Sequence, residues 1–417
     1  MKEIKRDFYL NKLIKKDGNG LIKVITGIRR SGKSYLLGTI FQNYLTKIVK
    51  KDHIIYVTLD INENEDLRDG KKFLEYVYSK IKDDEKYYVL IDEVQLMSDF
   101  VSVLNSFLYR KNIEVYVTGS NAKLLSKDVI TEFRGRGDEI HVYPLSFKEF
   151  MSAYEGDNYE GYEDYSIYGG LPLILSFDND KDKSKYLKNL LEETYINDIV
   201  ERNDVQNKDE LNELLNVLAS TMGSLTNPYN LANTFNNEKN LKITNKTVSK
   251  YIDYFMDAFI IDKAERYDIK GKRYINSPVK YYFEDVGLRN AKLNFRQLDN
   301  GHTMENMIYI ELLRREYNVD VGVVEVNEKD KKGNNIKPQY EVDFICNQGS
   351  KKIYIQSAYT MQDDLKEQQE RKSLSNIRDS FKKIIIINGY SKPRMDENGI
   401  ITMGVLNFLL DEDSLDI

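Results

Sequence analysis

Between an apolar run at 21–26 and a helical stretch opening at Tyr35 stand eight residues, Gly27-Ile28-Arg29-Arg30-Ser31-Gly32-Lys33-Ser34, in the spacing G-x-x-x-x-G-K-[ST]. That order dictates a strand, a tight turn and a helix. The glycines let the backbone curl around an anion, and the helix N-terminus aims free N–H groups at it. Lys33 is placed to meet β- and γ-phosphate oxygens, and the Ser34 hydroxyl to ligate Mg²⁺. Such a turn needs a parallel sheet behind it, and the sequence supplies one. Short β-rich runs at 21–26, 54–59, 87–91, 113–118 and 139–143 alternate with helical stretches such as 35–49 and 73–80. Near-continuous apolar strands separated by helices predict an α/β fold whose sheet is covered on both faces.

A second motif completes the chemistry. Tyr87-Tyr88-Val89-Leu90-Ile91-Asp92-Glu93 is an apolar strand ending in two acids. Asp92 falls near the metal shell, and Glu93 is placed to orient or deprotonate an attacking water. One strand candidate, at 54–59, lies between the two motifs. The run at 115–118 ends in Gly119-Ser120-Asn121, where Ser120 or Asn121 can hydrogen-bond the lytic water or the γ-phosphate. Arg134-Gly135-Arg136 precedes the fifth strand. An arginine there can reach a γ-phosphate in a neighbouring subunit, which implies a homo-oligomer, at least transiently.

Composition excludes other chemistries. A single cysteine, Cys346, makes no internal disulfide and no Cys-rich zinc cluster, and His53, His141 and His302 stand far apart. Apolar runs such as 384–387 are too short to cross a bilayer, and residues 1–17 lack the apolar core of a signal peptide. The expectation is a soluble cytoplasmic protein with no membrane partner. The net charge of -6 conceals a local balance of +9 over residues 1–50, where nine Lys and three Arg face Glu3, Asp7 and Asp17. A mildly acidic chain can therefore hold a basic face.

The chain resembles the prokaryotic AAA-type P-loop ATPases that carry a C-terminal domain of unassigned role. The resemblance rests on Gly27–Ser34, Ile91-Asp92-Glu93-Val94-Gln95, Thr118-Gly119-Ser120-Asn121, Gly135-Arg136, Pro144-Leu145-Ser146-Phe147-Lys148-Glu149-Phe150, Tyr168-Gly169-Gly170-Leu171-Pro172, and the stretch Lys280-Tyr281-Tyr282-Phe283-Glu284-Asp285-Val286-Gly287-Leu288. It implies ATP binding and hydrolysis with Mg²⁺, a helical lid and a winged helix. It also implies that Arg136, rather than Arg134, is the arginine finger. The expected organisation is an AAA-type core at 1–150, a helical lid at 151–208, a winged helix at 209–290 and a small α/β nuclease-like domain at 291–417. Independently of the resemblance, residues 209–285 read as three helices and a hairpin, the third helix carrying Val248, Ile252, Phe255 and Phe259 on one face. Residues 300–400 read as αβββαβ.

In that last domain Glu305, Asp343 and Gln356 occupy the three positions that the PD-(D/E)XK nuclease superfamily uses to gather carboxylates around Mg²⁺. The third is an amide here, and the lysine position two residues on is Ala358. Lys352 has the right parity but lies about 13 Å away along the strand. Glu341 and Asp343 share a face and are enough for weak metal binding at best. The expectation is a nuclease-like fold with lost or weakened chemistry. For duplex DNA, the candidate contacts are Lys246 and Lys250 on the third helix and Lys270, Lys272 and Arg273 on the hairpin, which would give salt-sensitive affinity.

The functional expectation is an ATP-binding and ATP-hydrolysing protein that couples hydrolysis to conformational change on DNA or on a protein partner. Two alternatives stay open. One is a nucleotide-controlled signalling switch acting on a protein without DNA. The other is an ATP-regulated nuclease, against which Gln356 and Ala358 argue.

Overall fold

A computed structural model of the chain describes residues 3–119, 135–238, 243–329, 333–359 and 364–416. It contains two compact units. One is Met1–Pro144 with the short stretch Asp257–Phe259, and the other is Leu145–Met256 with Ile260–Ile417.

In the first unit, helix α1 (Asp7–Lys15) precedes strand β1 (Ile22–Thr26). After the glycine-rich turn the chain becomes helical at Lys33–Tyr35, passes through a π-helical stretch Leu36–Phe41 and ends as Gln42–Leu45, together α2. Then come β2 (Ile54–Thr58), α3 (Gly70–Lys80), β3 (Tyr87–Asp92), α4 (Phe100–Phe107), β4 (Ile113–Thr118) and β5 (Gly137–His141). All five strands are parallel, in the order β2-β3-β4-β1-β5. Val89 and Ile91 of β3 pack with Phe73, Val77 and Phe107 on one face. Tyr88 and Leu90 pack with Leu13, Leu36, Leu37 and Phe41 on the other. Because both faces are covered, the strand is apolar at every position before Asp92, which is why the run reads as continuous in the sequence. Helix α3 starts at Gly70 because the Asp69 carboxylate accepts the N–H groups of Lys71 and Lys72, both at 3.0 Å, a cap whose loss costs about 1 kcal/mol. The strand expected at 54–59 is present as β2 but forms an edge. The strand that separates β1 from β3 is β4.

The second unit begins with α5 (Phe147–Met151), entered through a capping box in which Ser146 and Glu149 satisfy each other's N–H groups, and α6 (Asn158–Tyr168). A helical run over 180–203 is α7. It is followed by α8 (Lys208–Ser220), α9 (Pro228–Glu238) and α10 (Asn245–Asp257). The hairpin β6 (Ile261–Asp268) and β7 (Arg273–Phe283) leads into α11 (Val286–Lys292) and α12 (Asn300–Arg314). Next come β8 (Asn318–Glu325), the ribbon β9 (Glu328–Lys329) and β10 (Asn335–Ile336), β11 (Gln339–Gln348), β12 (Lys351–Ala358) and α13 (Asp364–Ser375). The last elements are β13 (Lys382–Ile387), β14 (Arg394–Met395), β15 (Ile400–Gly404) and α14 (Val405–Leu410).

One sheet of this unit takes strands from both sides of residue 290, where the sequence places a boundary. The hairpin also belongs to the sheet that follows it. Strand β6 pairs in parallel with β8 through Arg266↔Val321, Tyr267↔Gly322 and Asp268↔Val323, so one eight-stranded sheet runs β14-β15-β13-β12-β11-β8-β6-β7. Ala264 and Tyr282 from the hairpin are buried in the same core as Phe344, Ile355, Ile384 and the α12 residues Met304, Ile308 and Leu312. Local patterning identifies β6 and β7 as strands but carries no information about a partner some fifty residues away in sequence.

Candidate functional site

Strand β1 delivers the chain to Gly27, whose φ is +133° and whose Cβ, if it had one, would lie 2.2 Å from the Val142 carbonyl oxygen. No other residue fits there. Gly32, at φ +96°, turns the chain into α2. Lys33 is buried and donates from Nζ to the Gly27 and Ile28 carbonyls, each at 2.9 Å. The Ser31 hydroxyl is buried and has no hydrogen-bond partner among the described residues. A glycine cradle, an ammonium folded over it and an orphaned hydroxyl fit a phosphate group.

The loop is braced from outside the motif. Arg6 donates from Nη1 to the Ser31 carbonyl at 2.9 Å and from Nη2 to the Tyr143 carbonyl at 2.8 Å. Its guanidinium lies 4.6 Å over the ring of Tyr9, and the Tyr9 hydroxyl accepts the Tyr143 N–H at 3.1 Å. Nothing in the sequence marks Arg6, since its partners are backbone atoms 25 and 137 residues away.

Asp92 ends β3 and is buried. The hydroxyl groups of Thr118 and Ser34 both donate to its carboxylate. Burial raises its pKa, and those two hydroxyls oppose the rise. Thr118 also accepts the Glu93 N–H at 3.0 Å, so one side chain fixes both acids. Glu93 sits in the left-handed region at φ +55° and accepts a hydrogen bond from the Gln95 amide. Thr118 reaches this position because β4 lies between β1 and β3; sequence alone lacks that strand order. Ser34 and Asp92 are brought together as a pair suited to a divalent cation.

Among the described residues, Arg136 is not brought to this point. Ser120, Asn121 and Arg134 lie outside the described residues. The Arg136 carbonyl accepts the Ile22 N–H at 2.8 Å. That places it at the entry of β1, whereas the phosphate loop leaves the opposite end, about 13 Å further along the strand. In its own chain Arg136 therefore stands away from Gly27–Ser34. His53, which the sequence leaves isolated, has Asp83 and Glu85 as neighbours, although Lys50 already pairs with Glu85 at 3.0 Å.

In the second unit, Glu305 on α12 and Asp343 on β11 do meet, and Gln356 lies beside them. The Ser357 N–H donates to Asp343 at 2.8 Å, and the Gln356 amide donates to Glu370 at 2.9 Å. The register of β11 against β8 shifts between Val342 and Ile345, and such a bulge re-aims the side chain it carries. Ala358 is buried among Val342, Ile345 and Ile385. Of the residues considered for DNA, Lys246, Lys250, Lys270, Lys272 and Arg273 are exposed. The hairpin, however, carries its own acid: the Arg273 guanidinium is 3.6 Å from Asp268, and the Tyr274 hydroxyl donates to Asp320 at 3.1 Å.

Parallel sheet order, phosphate loop and acidic strand end together define the first unit as a P-loop domain of the AAA class. A family model described as an AAA domain matches residues 19–151, and a second, described as a domain of unknown function, matches 159–299. An uncharacterized protein of Haemophilus influenzae is 34% identical over 414 residues, covering 98% of both chains. This chain belongs to the same family as that protein. An uncharacterized protein of Methanocaldococcus jannaschii is 29% identical over 372 residues, 86% of this chain and 79% of its own. Among solved structures, the Aeropyrum pernix ORC1 protein in complex with DNA is 10% identical, with a TM-score of 0.30 over 70% of this chain and 92% of that one. Cdc6p from Pyrobaculum aerophilum is 11% identical, with a TM-score of 0.31 over 72% and 95%. Likenesses this distant carry no argument about activity. Among the described residues, no helix is long and apolar enough to cross a membrane.

Proposed function

We propose that the protein binds ATP with Mg²⁺ and hydrolyses it, and that hydrolysis drives a change of shape acting on DNA or on a protein partner. The observation that carries the reading is the linkage of Ser34, Asp92, Thr118 and Glu93 beside the Gly27–Ser34 loop. The loop N–H groups and Lys33 bind and orient the phosphates. Ser34 and Asp92 would hold Mg²⁺, which when bound neutralises charge developing on the phosphate oxygens. Glu93 takes a proton from the attacking water, whose oxygen bonds to the terminal phosphorus as ADP leaves. Arg136 acts on the nucleotide of a neighbouring copy, which makes a homo-oligomer part of the proposal.

The division into an AAA-type core, a lid, a winged helix and a nuclease-like domain with silent chemistry is proposed on the same footing. The order α8, α9, α10, hairpin supports the winged helix, as does the bridge of Thr226 to Val279 of β7. Gln356 and Ala358 support the silence.

The test is steady-state ATP turnover with and without duplex DNA across a salt series. Stimulation that fades as salt rises supports the DNA-coupled form. Turnover indifferent to DNA supports the second reading, a nucleotide-controlled switch on a protein partner, which the Asp268 and Asp320 contacts at the hairpin favour. No turnover in any condition overturns hydrolysis.

The Arg6 brace yields its own expectation. Arg6→Ala should weaken nucleotide binding about 10-fold or more, because two charge-assisted hydrogen bonds to backbone carbonyls are lost. Arg6→Lys should recover part of that. A fluorescent-nucleotide titration that gives the three proteins equal affinity counts against the brace.

A further inference from the structure

Three carboxylates from two elements converge on a point in the second unit, and a lysine side chain already occupies it. The Lys280 Nζ, arriving from β7, is 2.8 Å from Glu305 Oε1, 2.7 Å from Glu341 Oε1 and 3.7 Å from Asp343 Oδ1. The Lys280 side chain is only 4% exposed. Tyr282, two residues on and on the same face of β7, donates its hydroxyl to Glu305 Oε1 at 2.6 Å. The far oxygen of Asp343 is engaged by the Ser357 N–H.

We propose that Lys280 is the resident cation of this centre: its ammonium stands where a divalent ion would stand between Glu305, Glu341 and Asp343, so the protein holds no Mg²⁺ or Mn²⁺ there. The centre then serves to fasten β7 to α12 and β11.

Carboxylates this close, with Glu305 and Asp343 buried, need a positive charge among them. A hard divalent ion would answer with oxygen ligands at about 2.0–2.6 Å, and an ammonium answers with charge-assisted hydrogen bonds at about 2.7–2.9 Å. The two exclude each other, because a metal ion on the same oxygens would sit beside an ammonium that repels it. Burial works against the charge on Lys280, but Glu305, Asp343 and Glu341 outweigh it and push its pKa well above the ordinary lysine value. Burial and the Glu305 charge push Asp343 upward in spite of Lys280, so the centre remains short of positive charge. Removing the lysine leaves a pocket with the charge and donor set for a metal. The inference stands apart from nucleotide hydrolysis and holds whatever the ancestry of the sheet.

The experiment is Mn²⁺ binding followed by electron paramagnetic resonance on the nucleotide-free, full-length protein carrying Asp92→Asn, which removes the ligand expected at the phosphate loop. With Lys280 intact, no stoichiometric Mn²⁺ should bind. Adding Lys280→Met should create one site per chain, and adding Glu305→Gln to that should abolish it. Stoichiometric binding with Lys280 present that Asp343→Asn removes would overturn the proposal, as would a folded Lys280→Met protein that binds none. Should Lys280→Met not fold alone, it is refolded with Mn²⁺ or with EDTA. Recovery of the native circular dichroism in Mn²⁺ only supports the equivalence of the two cations, and recovery in neither overturns it.

Discussion

Replacing Glu93 with Gln is expected to lower ATP turnover by about 10²-fold or more while leaving nucleotide affinity nearly unchanged. Glutamine keeps the shape and the acceptor oxygen that faces Gln95, but it cannot take a proton from water, and general-base catalysis typically contributes about 10²–10⁴-fold. The backbone at Glu93 is held at φ +55° by the N–H bond to Thr118, so the amide should present itself as the carboxylate does. Lys33→Ala should behave in the opposite way. It removes the charge over the loop and should raise the nucleotide dissociation constant before it affects chemistry. Phosphate release at saturating ATP, together with a binding titration, separates the two. Glu93→Gln turnover equal to wild type would mean that another group, or none, activates the water. A parallel loss of affinity would mean that Glu93 shapes the pocket instead.

The contrast between these variants shows what a sequence can and cannot deliver. Gly27–Ser34 and Asp92-Glu93 are local motifs, each read from residues that are neighbours in the chain, and the structure sets them together as strand ends require. Thr118 and Arg6 are different. Thr118 matters because β4 is inserted between β1 and β3, and Arg6 because its targets are carbonyl oxygens, which every residue has. Lys280 is legible in the sequence only as part of the stretch that carries the family resemblance. Its partners come from α12 and from β11 across β6 and β8, a juxtaposition that strand propensity does not encode. The hairpin is legible as two strands, and its pairing with β8 is not, since alternation fixes a face and not a neighbour. The αβββαβ order was legible because its strands stand out as alternating or apolar runs, such as 340–346 and 384–387. Arg136 was placed by resemblance, and its position beside Ile22 rather than beside the loop follows from the register of β5, which starts at Gly137.

Asp285 should give the largest change in stability. Its carboxylate lies at the N-terminus of α11 and accepts the N–H of Gly170 at 2.8 Å and of Leu288 at 3.2 Å. The N–H groups of Gly287 and Leu171 also bond to it. The site is closed around it: a Cβ on Gly169, whose φ is +75°, would lie 2.1 Å from Asp285 Oδ1. Asp285→Ala strips the acceptor from these buried donors at once and should cost at least about 3 kcal/mol, at roughly 1–3 kcal/mol per orphaned group. Asp285→Asn is subtler. Burial pushes the pKa up to about 6 even though the four N–H bonds oppose it. An unfolded aspartate titrates near about 3.9, so between the two values the native state holds the proton more tightly than the unfolded chain. The proton-linked part of the contribution of Asp285 to stability is therefore full below that lower value, falls as pH rises, and is lost above about 6; the loss is about 3 kcal/mol. Asparagine has no such titration, yet it turns one acceptor into a donor facing N–H groups. The variant should be clearly less stable than wild type at pH 4 and should close most of that gap by pH 7. Urea unfolding of both proteins across this range reads the difference directly. A gap that stays constant with pH would mean that Asp285 is ionised throughout, with its four N–H donors outweighing its burial.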